Sequence, residues 1–296
     1  MEKIIKQTLD FESFVSRFMG DHNGAFVRPN DPIQIYPLSI AQSLIQPPTP
    51  LFRAEYSFLL IFLNGGGEQQ IDTDTYELQP NDLLFIREGH LNAIHAIDPD
   101  TEGFYIHLDY TLLPLVFDNE VILNSITFNP KHAVTTEKMA QLLTCCELIQ
   151  QQRNSSHALK TTNALLKALF LMITEDWPST HEKSDRMSEI SLRFKQALFD
   201  NFRVSREVSF YAEKLAVSQN YLNRCVTATT SKPPKQHINE MVINHSKLML
   251  QNPAYTISQV AYQLNFKAPS HFGRLFKKLT GQTPTSYLKA ISQQMS

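Results

Sequence analysis

The sequence has only three cysteines, and they offer no disulfide framework: Cys145 and Cys146 are adjacent on a predicted helix and Cys225 is far away in the chain. Buried thiols are the plain reading. The sequence also lacks a long apolar run. Phe58–Leu63, FLLIFL, falls far short of the roughly 20 residues that a bilayer-spanning helix needs. The start, MEKIIKQTLDFESF, has acidic residues where a secretory signal would be continuously apolar, so a cytoplasmic protein with no membrane partner is expected. No His-x-His occurs, and His90, His95 and His107 are not spaced like the two-histidine-plus-carboxylate set of a metal enzyme. Paired carboxylates and an activated nucleophile are missing too. The expectation is a chain that binds no metal, uses no cofactor and catalyses nothing. Its 296 residues, 42% hydrophobic, can bury substantial cores, and the length suggests about two domains.

What is present lies mostly near the carboxyl end. In TISQVAYQLNFKAPSHFGRLFKKLTGQTPTSY, Thr256 to Tyr287, Val260, Ala261 and Leu264 recur at helical spacing, and Asn265 suits a left-handed turn. Phe272, Leu275, Phe276 and Leu279 form the stripe of a second helix, leaving Ser270, Arg274, Lys277 and Lys278 on a free face. That is the pattern of a helix-turn-helix with an outward recognition helix. An amphipathic hairpin with a solvated basic face fits those residues equally well. A second copy upstream favours the former. SREVSFYAEKLAVSQNYLNRCV, from Ser205, places Ala212 on Ala261, Leu215 on Leu264, Leu222 on Phe272 and Arg224 close to Arg274, with one residue fewer in the turn. Each copy is followed by a Pro-containing turn, SKPPKQHI or GQTPTSYL, and a helix around Asn239 to Gln251 would join them into one bipartite module.

Charge divides the chain the same way. From Ser188 onward 14 Lys and Arg stand against 5 Asp and Glu, a balance of +9; residues 1–187 carry 13 against 24, a balance of −11. A basic third can release counterions from phosphates, whereas the acidic remainder would repel DNA.

The run AYQLNF, the Phe-x-Arg-x-Phe-Lys arrangement at Phe272 to Lys277 and the terminal Gly-Gln-Thr-Pro occur together as they do in the AraC/XylS transcription regulators, which about a third of the chain resembles. Departures are Val242 where the family usually has Arg, Val226 where it has Phe, and Ser231 where it has Gly. The resemblance implies binding to double-stranded DNA through an all-α double helix-turn-helix. In the first unit Ser218 can cap the recognition helix, with Gln219, Asn220, Asn223 and Arg224 outward; Asn and Gln suit adenine edges and Arg suits guanine. In the second, Lys267, Ser270 and Arg274 take the equivalent face, and Lys277 and Lys278 suit phosphate anchoring. Pro269 and Gly273 sit where the family often places a base-reading side chain. Base readout is therefore expected mostly from the first helix.

The amino-terminal half reads differently. Tyr56–Leu63, Gln69–Ile71, Tyr76–Leu78, Leu83–Ile86 and Gly103–Leu108 are strand patterns separated by turns such as Asn64-Gly65-Gly66-Gly67 and Pro80-Asn81-Asp82. LNGGGEQQIDTDTYELQPNDLLFIREGHLNAI resembles the cupin-like sensor domain that precedes AraC-type DNA-binding regions. The expected fold is therefore α+β and multidomain. A cupin-like β-barrel with flanking helices takes residues 1–178, the polar stretch Pro178 to Asp185 (PSTHEKSD) marks a linker set at 179–187, and the helical DNA-binding domain takes 188–296. Such a barrel holds a small organic effector, with Tyr56, Phe58, Tyr105 and His107 as candidate lining residues, although alternation alone does not separate pocket from core. Helices at Glu137–Gln151 and His157–Trp177 pack on the barrel, and the resemblance implies that an apolar edge of theirs pairs with a second subunit. RNA polymerase is a further partner if the protein activates. The competing class is a cupin-type metal enzyme whose helical tail assembles oligomers; it would leave the basic tail unexplained.

Overall fold

The computed structural model describes residues 8–19, 33–117, 119–152, 158–175 and 186–294. Two compact units lie within Thr8–Lys183 and Ser184–Ser296. The expected linker lies outside the described residues except for Arg186 and Met187, which instead open a helix. Met187 already packs on the second unit's core, so the apolar stripe of that helix begins inside the expected linker limits, just after the polar stretch ends.

The first unit holds strands β1 (Ile33–Pro37), β2 (Phe52–Arg53), β3 (Ser57–Asn64), β4 (Gly67–Ile71), β5 (Asp74–Leu78), β6 (Asp82–Ile86), β7 (Leu91–Ile97), β8 (Glu102–Leu108) and β9 (Lys131–Ala133). They pair antiparallel into two sheets, ordered β1-β8-β3-β6-β9 and β2-β7-β4-β5. Its helices are α1 (Phe11–Phe18), α2 (Leu38–Leu44), α3 (Leu113–Val116), α4 (Glu120–Phe128), α5 (Thr136–Gln152) and α6 (Ala158–Glu175).

The five-stranded sheet is covered on both faces, which explains why Ser57 to Phe62 of β3 are buried without interruption. Leu59 and Ile61 join Leu83, Phe85, Ile106 and Leu108 in a cluster with Leu142, Cys146 and Ile149 of α5 and Leu166, Leu169 and Ile173 of α6. Phe58, Leu60 and Phe62 point the other way, into a second cluster with Ile71 and Leu78 from the facing sheet and Phe11 and Phe14 from α1. Gly103 is needed where β8 crosses β3: its φ is +138°, and a Cβ there would stand 1.9 Å from the Ile61 carbonyl oxygen. Cys145, Cys146 and Cys225 are all buried free thiols, and burial pushes the Cys146 thiol well above its usual pKa.

The second unit is helical: α7 (Arg186–Asn201), α8 (Val208–Lys214), α9 (Gln219–Thr230), α10 (Pro234–Leu250), α11 (Ile257–Gln263), α12 (Pro269–Thr280) and α13 (Pro284–Gln294). One continuous core runs through it, joining Phe194, Tyr211, Leu222 and Val226 to Val242 of α10 and to Val260, Leu264, Phe272 and Phe276. The joining helix starts at Pro234 rather than near Asn239, because Pro at the first helical position already has the required φ.

The internal repeat is reproduced bond for bond at the turns. In the first unit the Val217 amide donates to the Ala212 carbonyl at 3.0 Å, and in the second the Phe266 amide donates to Ala261 at 3.0 Å. Each of these helix ends carries a left-handed residue, Ala216 at φ +55° and Asn265 at φ +60°. The recognition helices then end on Ser231 at φ +58° and Gly281 at φ +78°. The second unit thus uses the residues that tolerate this conformation, and the first uses two that do not. Ser231→Gly and Ala216→Gly should each stabilise the helical domain by about 0.5 to 1 kcal/mol, raising its thermal midpoint by several degrees. Thermal unfolding followed by circular dichroism checks this, and a lower midpoint for both variants would contradict the strain argument.

Candidate nucleic-acid interface

In α9 the side chains of Leu222, Cys225 and Val226 face the core, while Gln219, Asn220 and Arg224 are exposed and Asn223 is half-buried. Ser218 caps this helix as expected, its hydroxyl accepting from the Tyr221 amide at 3.2 Å. The Arg224 guanidinium lies 5.1 Å from the Tyr221 ring centroid, within cation–π range. In α12, Phe272 and Phe276 are fully buried, and Lys267 ahead of the helix together with Ser270, Arg274, Lys277 and Lys278 on it is exposed. None of the ten sequence-predicted positions is consumed by the core.

The two helices are not equivalent. The N-cap of α12 is Ala268, which makes no side-chain bond, with Pro269 next. Gly273 has no atom within 4 Å of the place a Cβ would occupy, so packing does not require a glycine there. Between the left-handed residue and the N-cap the first unit has one residue, Val217, and the second has two, Phe266 and Lys267, which is the one-residue difference seen in the sequence repeat. Sequence reasoning overlooked Thr227 and His271. Both are exposed, at one helical turn from Arg224 and Arg274 respectively, and that spacing was the available signal.

It also overlooked what ties the two helix-turn-helix copies together within the helical unit. The Asn265 side-chain amide donates to the backbone carbonyls of Val204 at 2.7 Å and Arg203 at 3.2 Å, in the loop after α7. From that loop the Arg206 guanidinium lies 3.6 Å from the Phe266 ring centroid, and burial lowers its pKa against the opposing pull of Glu207. Arg203 in turn donates to Nε2 of His245 on α10 at 2.7 Å. The turn of the second helix-turn-helix is therefore anchored to the segment that leads into the first.

In the other unit a cavity of about 90 Å³ opens between the two sheets beside α1 and α2. Tyr56, Phe58 and Tyr105 line it. His107 does not: its ring packs 4.8 Å from that of Phe11 and 4.6 Å from that of Tyr56, so α1 covers the place that strand alternation assigned to it. Burial raises the pKa of both Tyr56 and Tyr105, and their hydroxyls are neutral in the physiological range. The histidines that a metal site would recruit are engaged separately, His90 with Asp72 at 2.6 Å and His95 with Glu68 at 2.7 Å. Among the described residues no three His, Cys, Asp or Glu converge on a point that could hold a metal ion.

Two helix-turn-helix units on one core, each with a capped or Pro-led helix whose outer face is polar and cationic, define a DNA-binding protein. Residues 211–290 match the family described as a helix-turn-helix domain. The Msm operon regulatory protein of Streptococcus mutans is 23% identical over 247 residues, covering 82% of this chain and 87% of its own. The melibiose operon regulatory protein of Escherichia coli K12 is 28% identical over 243 residues, covering 75% and 80%. The transcriptional activator RhaR of Mannheimia succiniciproducens is 22% identical over 280 residues, covering 90% and 95%. The carboxyl-terminal region is thus an AraC-type helix-turn-helix domain, the DNA-binding part of a transcription regulator, and over most of its length the chain is similar to regulators of this kind. No helix among its described residues is long and apolar enough to cross a membrane.

Proposed function

We propose that the first unit is a sensor, that a small organic effector occupies the cavity between its sheets, and that occupancy changes the affinity of the second unit for its operator. The observation that carries this is the combination, in one chain, of an apolar cavity and a bipartite cationic reading surface. The domain limits that go with this reading are 1–178 for sensing and up to 296 for DNA, with a linker from 179 that ends before Arg186, where α7 begins. The protein acts in the cytoplasm, without cofactor and without catalysis. The exposed Leu148 on α5 and Leu171 on α6 support pairing with a second copy through these helices. If it activates, it also meets RNA polymerase. A compound that shifts operator affinity of the native protein should have no effect on Ala41→Trp, which fills the cavity. An undiminished response in that variant would locate the effector elsewhere.

Within the DNA-binding unit the first helix reads bases and the second chiefly anchors. Asn220 and Asn223 offer amide donors and acceptors, whereas Pro269 and Gly273 offer none. Alanine at both asparagines should broaden the set of selected sites, and Ser270→Ala with Lys278→Ala should weaken all sites more evenly. Selection of binding sites from random DNA by each double variant distinguishes the two. A half-site under α12 that stays sharper than the one under α9 would reverse the assignment.

A further inference from the structure

The cavity's lining also limits what can enter it. Its wall is built from aromatic and aliphatic side chains, with Phe11 stacked at 5.8 Å on Tyr36 and 5.7 Å on Tyr105, and Phe58 stacked at 5.4 Å on Tyr105. None of the described lining residues is Lys or Arg, and Glu68, the charged one, is already engaged by Nδ1 of His95 at the half-exposed rim. An anionic ligand would therefore be desolvated without a counter-charge, and a sugar would bury several hydroxyls against hydrocarbon.

The polar groups on the wall are mostly committed. The Thr101 hydroxyl donates to the Gly66 carbonyl at 2.8 Å and accepts from the Gly66 amide at 3.1 Å, and the Tyr36 hydroxyl donates to Gln34. Two differ. The Tyr105 hydroxyl is buried with no hydrogen-bond partner among the described residues, and Gln69 lines the cavity, is 4% exposed, and its side-chain amide makes no hydrogen bond to another described residue. Gln69 follows a register shift between Glu68 and Gln69 in the pairing of β4 with β7, the kind of bulge that re-aims a side chain. An enclosed polar group without a protein partner is a natural place for a ligand to supply one.

We infer that the effector is an uncharged, mainly aromatic molecule with one hydrogen-bonding group, a hydroxyl or carbonyl, that is met by the Gln69 amide. This rests on the sensor reading above for its regulatory meaning, but the ligand class stands on the cavity alone. Four probes on the full-length protein separate the chemistry by calorimetric titration: para-ethylphenol, ethylbenzene, para-ethylbenzoate and glucose. The phenol should bind about five- to tenfold more tightly than ethylbenzene, the gain of one buried hydrogen bond. The benzoate should bind at least about a hundredfold more weakly than the phenol, and glucose not measurably. Gln69→Leu should erase the phenol's advantage while keeping affinity for ethylbenzene, which also reports that the cavity remains folded. A benzoate or glucose that binds as well as the phenol, a phenol advantage that survives Gln69→Leu, or no binding by any probe overturns the inference. Operator affinity with saturating phenol is measured separately: binding without any change in DNA affinity defeats the sensor reading and leaves the ligand class standing.

Discussion

Raising salt from about 50 to 200 mM should weaken operator binding about 500-fold. The five exposed cations on the two reading faces, Arg224, Lys267, Arg274, Lys277 and Lys278, give the estimate. If each neutralises one phosphate, the logarithm of affinity falls with the logarithm of salt at a slope of about −4.5 through counterion release. The carboxyl-terminal balance of 14 cationic against 5 anionic side chains supplies the background field, and the acidic remainder of the chain contributes nothing favourable. Fluorescence anisotropy of a labelled operator across a salt series measures the slope. A value near zero would remove DNA from the list of partners, and replacing Lys277 and Lys278 with alanine should flatten it by about two.

Arg224→Ala and Arg274→Ala should each cost about 1 to 3 kcal/mol of operator binding, some 5- to 150-fold, with the loss concentrated at one base position. Both arginines are exposed on helices whose opposite faces carry the buried anchors, Leu222 and Val226 in α9 and Phe272 and Phe276 in α12, so their removal leaves the core intact. Arg224 would also lose its contact with the Tyr221 ring, a small effect on the free protein. Thermal midpoints close to that of the parent would show that folding is preserved. Loss spread evenly over all sequences would assign the arginine to phosphate, and an unchanged affinity would reject its role.

The DNA-binding half was readable in the sequence because its signals are local. A cap at Ser218, stripes at 3.6-residue spacing and an Asn at a left-handed turn are each decided within a few residues. The strands were readable where the chain is unambiguous, as in β3, whose apolar run reflects cover on both faces. β7 escaped because Asn92, inside it, is completely buried and donates to the His90 carbonyl, which defeats an apolar alternation. β1 escaped for a similar reason, with Gln34 buried at 4% exposure among its isoleucines. The cavity needed knowledge of α1: strand pattern puts Tyr105 and His107 on one face, and only the position of Phe11 separates a wall residue from a covered one. The tie from Asn265 to Val204 spans 61 positions, and no local rule reaches that far.

That tie limits the DNA this protein can recognise. Because the second turn is bonded to the loop leading into the first, and a single core runs beneath both, the reading helices act as the jaws of a fixed-gap caliper rather than as beads on a string. A duplex is a screw, and one added base pair between two half-sites both advances and rotates the far one. A flexible pair of readers would follow that change; a caliper whose gap is set by Asn265, Arg206 and Phe266 cannot, so the separation of the half-sites becomes part of the recognised message along with their letters.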